Sequence, residues 1–520
     1  MMRRALAMVL CLLFLGGWSV LTFAMERGGT IVVSGEDIGR IDDPARYSWI
    51  ANSNPTRMVA EYLTFTDESN TTHPWLLESW EASDDLMTWT LNCRQGILFS
   101  NGDEFNADDV VFNIRRWLDP DVGSSLLGFI GSYLSPDGVQ KIDEYTVQLN
   151  LDAPSISVPE DLYQYPAQIM NSRTFEGDFI EAPIGTGPFL LDEYSAGERV
   201  ILKSRNGVDG VPPYWRNGED GQPLPYVDQV IYVVTGQEAA AHVAAIKDGS
   251  IDVITEPDIE HFLALQDDPD VQVIGTATAN TRVLRMRVDM EPWDDNVVRT
   301  ALKMCVDREK ILDVAYYGEG VVGADHHFAP AHPAYCEIDP IPFDPQGAKT
   351  MLEDAGYTTP ISFDITMGTA WPDTVTLAEV LKEDAAPAFD INITPVPGTT
   401  YWDVWTEVPV GITHWSPRVL GTMVAASAYT CDSEGNPVPW NESRWCDSEF
   451  STLLAQAQGM ADIDNRRAII CQMATIQRDR GSVIIPYWMN VWSIASTRIQ
   501  NFKGHPNQYD EFLREAWIDD

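Results

Sequence analysis

Three histidines, His326, His327 and His332, crowd around Phe328-Ala329-Pro330, and imidazoles this close in sequence could ligate a metal. Their spacing is not that of two ligands one helical turn apart, and no cysteine or acid completes a set. They read as a surface-loop cluster, and no metal is expected. Gly185-Thr186-Gly187 lacks the lysine of a phosphate-cradling loop, and no G-x-S-x-G or H-E-x-x-H pattern supplies a nucleophile or a zinc centre. Carboxylates are abundant only because acids are, so no catalytic pair stands out. What remains is recognition. The chain has 17 tryptophans, whose faces suit sugar rings, quaternary amines and apolar side chains, although packing accounts for most of them. Trp371 sits in the Gly-containing segment Met367 to Pro372 just before a helix start, and Trp402 and Trp405 follow Tyr401 on a turn.

These residues need a scaffold larger than one core. The chain has 520 residues, and single cores stop growing near ~250–300 residues, so two or more domains are expected. With 44% hydrophobic and 22% charged residues, the composition is that of an ordinary globular protein. Asp and Glu number 78 against 34 Lys and Arg, a net charge of −44. Such a field repels phosphate backbones and anionic lipid, which argues against nucleic-acid and peripheral membrane binding.

Arg3 and Arg4 precede the apolar run Ala5 to Leu15, and Ala24 follows Thr22 at a small-residue cleavage point. Residues 1–24 therefore read as a cleaved secretory signal peptide of the general route, with export to the periplasm. Of seven cysteines, Cys11 falls in this leader, and Cys93, Cys305, Cys336, Cys431, Cys446 and Cys471 remain in a compartment that permits disulfides. Cys431 and Cys446 bracket a turn-rich loop holding Gly435, Asn436, Pro437 and Pro439, and are the pair expected to bond. None forms a C-x-x-C pair.

Periodicity places the elements. Thr30 to Ser34 is a β-branched opening strand, Met58 to Leu63 an amphipathic helix, Thr88 to Asn92 and Thr146 to Leu151 strands, and Val110 to Trp117 a helix with acids in its first turn. Pro183-Ile184-Gly185-Thr186-Gly187-Pro188-Phe189 admits neither helix nor central strand and must be a tight turn. Strands at Arg199 to Lys203 and Gln229 to Thr235, a helix over Glu238 to Lys247 stopped by Asp248-Gly249, and a strand at Ile251 to Ile254 give a β-α-β rhythm. From Arg282 onward a parallel-sheet domain is expected, with helices at Asp294 to Val306, Pro345 to Ala355, Thr374 to Asp384, Asp447 to Gly459 and Asn465 to Arg478.

Leu76-Leu77-Glu78-Ser79-Trp80, Trp89, and Asn101-Gly102-Asp103-Glu104-Phe105-Asn106-Ala107-Asp108-Asp109-Val110 resemble a stretch of the extracellular solute-binding proteins, family 5, the peptide- and nickel-type receptors of ABC importers. The turn Gly185-Thr186-Gly187-Pro188-Phe189, the strand entry Leu224-Pro225-Tyr226-Val227-Asp228, and Val298-Arg299-Thr300-Ala301-Leu302 with Val306-Asp307-Arg308 are similar to that family in the same order. The resemblance implies an α/β, two-lobed periplasmic binding protein (type II, cluster C) with an extra N-terminal subdomain inserted in lobe one. Lobe one would take 25–57, 184–280 and 486–520, the subdomain 58–183, and lobe two 281–485. The crossovers would be Arg282–Asp289 and Ile484–Asn490, with the ligand held between hinged lobes.

In peptide-binding members a lobe-two strand carries a Gly-Trp-x-x-Asp pattern whose acid holds the ligand's α-amine. The matching place here is His414-Trp415-Ser416-Pro417-Arg418, with the tryptophan kept and Arg418 where the acid would stand. A guanidinium there would clamp a carboxylate, phosphate or polarised hydroxyl. The ligand-binding set is therefore Trp415, Arg418, His414, Ser416, Trp371, Tyr401 and Trp402 on lobe two. Tyr47 and Trp49 join them from the lobe-one loop that faces the cleft in the family. The chain reads as a monomeric binding protein without cofactor, delivering a peptide-like or oligosaccharide-like solute, or an opine-like sugar conjugate, to an inner-membrane ABC permease. A secreted hydrolase of oligosaccharides or peptides is the alternative.

Overall fold

A computed structural model describes residues 27–519 apart from 36–37, 48–49, 237, 433 and 508–509. The leader and Trp49 lie outside the described residues. Strand β1 (Thr30–Gly35) pairs in parallel with β2 (Gln229–Val234) on one side and β3 (Val253–Ile254) on the other. The helix between β2 and β3, Ala239–Asp248, stops at Gly249, whose φ of 77° explains why Asp248-Gly249 ends it. The loops after Gly35, Val234 and Ile254 thus gather at one edge, where open α/β sheets hold ligands.

The sheet continues through β4 (Val271–Met286), β5 (Ile361–Gly368), β6 (Phe389–Val396), β7 (Val410–Trp415) and β8 (Tyr487–Ser496). The first half of β4 pairs antiparallel with β8 and its second half antiparallel with β7. β5 runs parallel to both β6 and β7, so the second half of the sheet is mixed rather than purely parallel as expected. β4 changes partner at a register break between Ala277 and Thr281, ahead of the expected crossover at Arg282, because Arg282 already faces His414 on β7. Alternation in sequence does not reveal such a bulge.

Four strands of residues 58–183, at Leu77–Ala82, Thr88–Cys93, Val139–Lys141 and Thr146–Asn150, form a separate antiparallel sheet. Helix α1 (Ala107–Trp117) begins with a capping box, Asn106 bonding the first turn and Asp109 answering the Asn106 amide, a device worth about 1 kcal/mol. The expected helix at Met58 to Leu63 does not form; the helix lies earlier, at Ile50–Thr56. The carbonyls of Met58 and Val59 instead accept from the Phe189 amide at 3.1 Å and the Gly187 amide at 2.8 Å, which holds that segment against the 183–189 turn. Both glycines of the turn are required: a Cβ on Gly185 would sit 1.9 Å from the Val59 carbonyl oxygen, and one on Gly187 2.5 Å from that of Met58.

Cys431–Cys446 is bridged, and a second bridge, Cys336–Cys471, ties the chain across a separation of 135 residues. Cys93 and Cys305 are free and buried. The histidine trio is not on the surface: His326, His327 and His332 are all buried, the result of aromatic neighbours that include Tyr335, Trp415 and Tyr429. Among the described residues no group of three or more His, Cys, Asp or Glu side chains could hold a metal ion.

Candidate functional site

The lobe-two wall is built on β7, the loop after β5 and helix α2 (Pro372–Ala385). Side chains alternate along β7. Thr413 and Trp415 therefore point one way and His414 the other. Beneath His414, Arg282 of β4 makes a two-pronged pair with Asp373, Nε to Oδ2 at 2.6 Å and Nη2 to Oδ1 at 2.9 Å, and the Tyr487 hydroxyl donates to Asp373 at 2.9 Å. The remaining Arg282 nitrogen donates to His414 Nδ1, which leaves the proton on Nε2, 3.3 Å from the Ser416 hydroxyl. Burial, then Arg282 and Arg418, hold the His414 pKa well below its ordinary value, so the ring is neutral.

On that base an aromatic cluster assembles. Trp371 stacks on His414 with ring centroids 5.4 Å apart and planes 16° from parallel, and Trp402 meets Trp371 edge-on at 5.4 Å. Trp402 belongs to the short helix α3 (Gly398–Val404) and is 42% exposed, so its face is available to a solute. Tyr401, beside it, is fully buried with its hydroxyl on Thr413 at 2.7 Å, and supports the cluster from below.

Trp415 turns inward. Its indole donates to Glu442, and its ring packs edge-on against His327 and Trp440. Arg418 follows after the strand has ended. One of its nitrogens donates to the Pro417 carbonyl at 2.8 Å and its guanidinium lies 5.6 Å from the Phe129 ring of the 58–183 unit. Among the described residues no carboxylate forms an ion pair with it. Asp161 of the same unit feels its charge, yet burial first of all pushes that carboxyl up to about 6. Arg418 thus stands where the two parts face one another, and Asn70 bridges the same seam by donating to the carbonyls of Ala331 at 2.9 Å and Val419 at 3.1 Å.

Tyr47 is 4% exposed in the lobe-one core with its hydroxyl on the Ile41 carbonyl at 3.1 Å, so it presents no free surface to a ligand; the apolar neighbours Met58 and Phe175 take its ring inward. Sequence reasoning missed the Arg282–Asp373–Tyr487 base altogether. Asp373 follows Trp371-Pro372 at a helix start, and that acidic first turn was the available signal. It also missed the lobe-one groups at the ends of β1 and β3, namely Asn54, Glu256 and Glu511.

A mixed sheet shared by two lobes, with an aromatic wall and a free arginine on the seam, defines a two-lobed periplasmic binding protein. The chain belongs to the bacterial extracellular solute-binding proteins, family 5, whose middle-region model matches residues 71–436. It is 26% identical over 500 residues to the heme-binding protein A of Haemophilus influenzae, covering 89% of this chain and 87% of that one. It is 27% identical over 518 residues to the di/tripeptide-binding protein 1 of Pseudomonas aeruginosa, covering 90% and 91%. The structure of HbpA2 from Haemophilus parasuis superposes with a TM-score of 0.82 at 23% identity, over 94% of this chain and all of that one, a likeness of fold. Family members are substrate-binding receptors of ABC importers, presenting small solutes to an inner-membrane permease. No helix among the described residues is long and apolar enough to cross a membrane.

Proposed function

We propose that this chain is an exported receptor that traps a peptide-like solute between its lobes and releases it unaltered to an ABC permease. The division is 25–57, 184–280 and 486–520 for lobe one, 58–183 for the inserted subdomain and 281–485 for lobe two, and the working form is a monomer without a cofactor. The observation that carries the reading is Arg418: a guanidinium with no carboxylate partner among the described residues, on the seam between lobe two and the subdomain, whose charge reaches His414 under the Trp371 ring. An unpaired fork at an aromatic wall suits a ligand carboxylate, and the α-carboxylate of a short peptide supplies one. The named relatives support a peptide before a sugar, since one is a di/tripeptide-binding protein and the other binds heme.

The test is a thermal-shift and calorimetric screen of the purified protein with di- and tripeptides, hemin, nickel and short oligosaccharides. A ligand at 100 times its Kd adds about 2.7 kcal/mol to native stability, which is readily seen. Stabilisation by free peptides with the solute recovered intact is the expected result. A response to hemin alone, or consumption of the peptide, overturns the reading.

A further inference from the structure

At the carboxyl ends of β1 and β3 lies a cavity of about 30 Å³, lined by Asn54, Glu256, Trp492, Asp510 and Glu511 among others. It has room for a group about the size of a water molecule or two. Two polar atoms on its lining residues have no hydrogen-bond partner among the described residues: Asn54 Oδ1, on a residue 3% exposed, and Trp492 Nε1, on one 2% exposed. The first needs a donor and the second an acceptor, and a buried polar atom left unsatisfied is costly. Trp492 cannot turn away, because its ring is stacked between Phe262 at 4.8 Å and Tyr316 at 5.6 Å.

Two adjacent acids at the cavity, Asp510 and Glu511, are served unequally. Asp510 is satisfied by Arg514 at 2.8 Å and the Tyr163 hydroxyl at 3.0 Å. Among the described residues Glu511 receives the Tyr232 hydroxyl at 3.0 Å and, in a long contact, the Asn54 amide at 3.4 Å. The field of Arg57, which donates to Ser53 at 2.9 Å, reaches Glu511, while those of Asp510 and Glu256 oppose it. Among the described residues Asp510 thus has an ion pair, with Arg514, and Glu511 forms none. Burial first, and then the neighbouring acids, push the Glu511 carboxyl up to about 8, so at neutral pH it holds its proton. His505 adds no charge: burial lowers its pKa to about 4, and its Nε2 donates to the Thr66 carbonyl at 3.0 Å.

We propose that this cavity seats the α-ammonium group of the solute, between Asn54 Oδ1 and Glu511, with the solute's first carbonyl accepting from Trp492 Nε1. An ammonium next to a carbonyl supplies at once the donor, the acceptor and a cation beside which Glu511 can give up its proton, and a peptide amino terminus has that arrangement. The subsite lies on lobe one, whereas the lobe-two wall carries Arg418 where the resemblance places an acid for the amine. The amine partner has moved across the cleft. The inference rests on the reading of the chain as an interlobe peptide receptor, and two measurements separate the fates of the two.

In the first, trialanine and N-acetyl-trialanine are titrated into the wild type and into Glu511→Gln, which keeps shape and fold. Acetylation is expected to weaken wild-type binding about 30-fold, the worth of a charge-assisted bond. The same substitution is expected to weaken trialanine alone. Equal binding of the two peptides overturns the subsite and leaves the receptor reading intact. The second measurement needs no peptide: melting in methylammonium chloride against sodium chloride at equal ionic strength. A rise in Tm for the wild type that is lost in both Asn54→Ala and Glu511→Gln supports the subsite, even where no peptide binds and the receptor reading falls. No difference between the two salts means that the cavity holds water only, and the proposal is wrong.

Discussion

The indole Nε1 of Trp415 donates to Glu442 Oε1 at 2.8 Å, and Glu442 in turn receives Arg285 Nε at 3.1 Å and the Thr413 hydroxyl. The tryptophan that the family motif would place against a ligand is thereby committed to a buried acid. Arg285 is fully buried and Glu442 nearly so, which makes Glu442 the counter-charge of the lobe-two interior.

Removing that acid should be felt as stability. Glu442→Ala leaves the Arg285 guanidinium buried and unpaired, and a loss of about 3–5 kcal/mol is expected in chemical denaturation. Trp415→Phe deletes one bond and should cost about 1–3 kcal/mol while changing solute affinity little. A large affinity loss in Trp415→Phe with unchanged stability would show that the ring faces the solute.

Arg418 should behave in the opposite way. With no ion pair to break among the described residues, Arg418→Ala is expected to change stability by less than about 1 kcal/mol. It should weaken a peptide with a free carboxyl terminus about tenfold or more and leave the amidated peptide unaffected. Calorimetry with the two peptides reads the difference directly.

Acid should unfold lobe two through its histidines. Burial lowers the His326 pKa to about 3 and the His332 pKa to about 4, and the Nε2 atoms of both rings lack partners among the described residues. The unfolded chain takes up protons near pH 6.5 while the folded one refuses them. Stability contributed by these rings is therefore complete above about pH 6.5 and is lost as pH falls toward their folded values, at up to about 1.4 kcal/mol per pH unit for each proton. His326→Gln should flatten that slope, measured as urea midpoints between pH 7 and pH 4.

The two disulfides should differ in weight. In the chain-entropy account the Cys431–Cys446 loop, a separation of 15 residues, contributes about 3 kcal/mol, and the Cys336–Cys471 loop, a separation of 135, closer to 5 kcal/mol. Double serine variants at each pair, compared by denaturant midpoint, check the order.

Legibility in the sequence followed range. The capping box at Asn106 and the Gly-Pro turn at 183–189 are local and were readable, as were the helix limits at Ala239–Asp248 and Ile463–Arg480 to within a few residues. Met58 to Leu63 was not, because its fate depends on amides more than a hundred residues away. The aromatic cluster was legible piecemeal: Trp371, Trp402 and His414 stand out in the sequence and do meet, but Arg282 reads only as the start of a crossover and nothing singles out Asp373. Asn54 and Glu511, 457 residues apart, share no local signal at all. Glu442 likewise carries no local signal, and its neighbour Asn441 is buried with its amide on the Thr430 and Trp445 carbonyls.

The break in register between Ala277 and Thr281 has a mechanical consequence. There the hydroxyl of Thr278 donates to the Met489 carbonyl at 2.7 Å and that of Thr281 to the Tyr487 carbonyl at 2.6 Å, in place of ladder bonds. A hydroxyl rotor keeps its grip through a range of angles, which a planar peptide pair cannot do. These two bonds thus keep β4 fastened to β8 across the stretch where the ladder loses register, and the sheet stays continuous there.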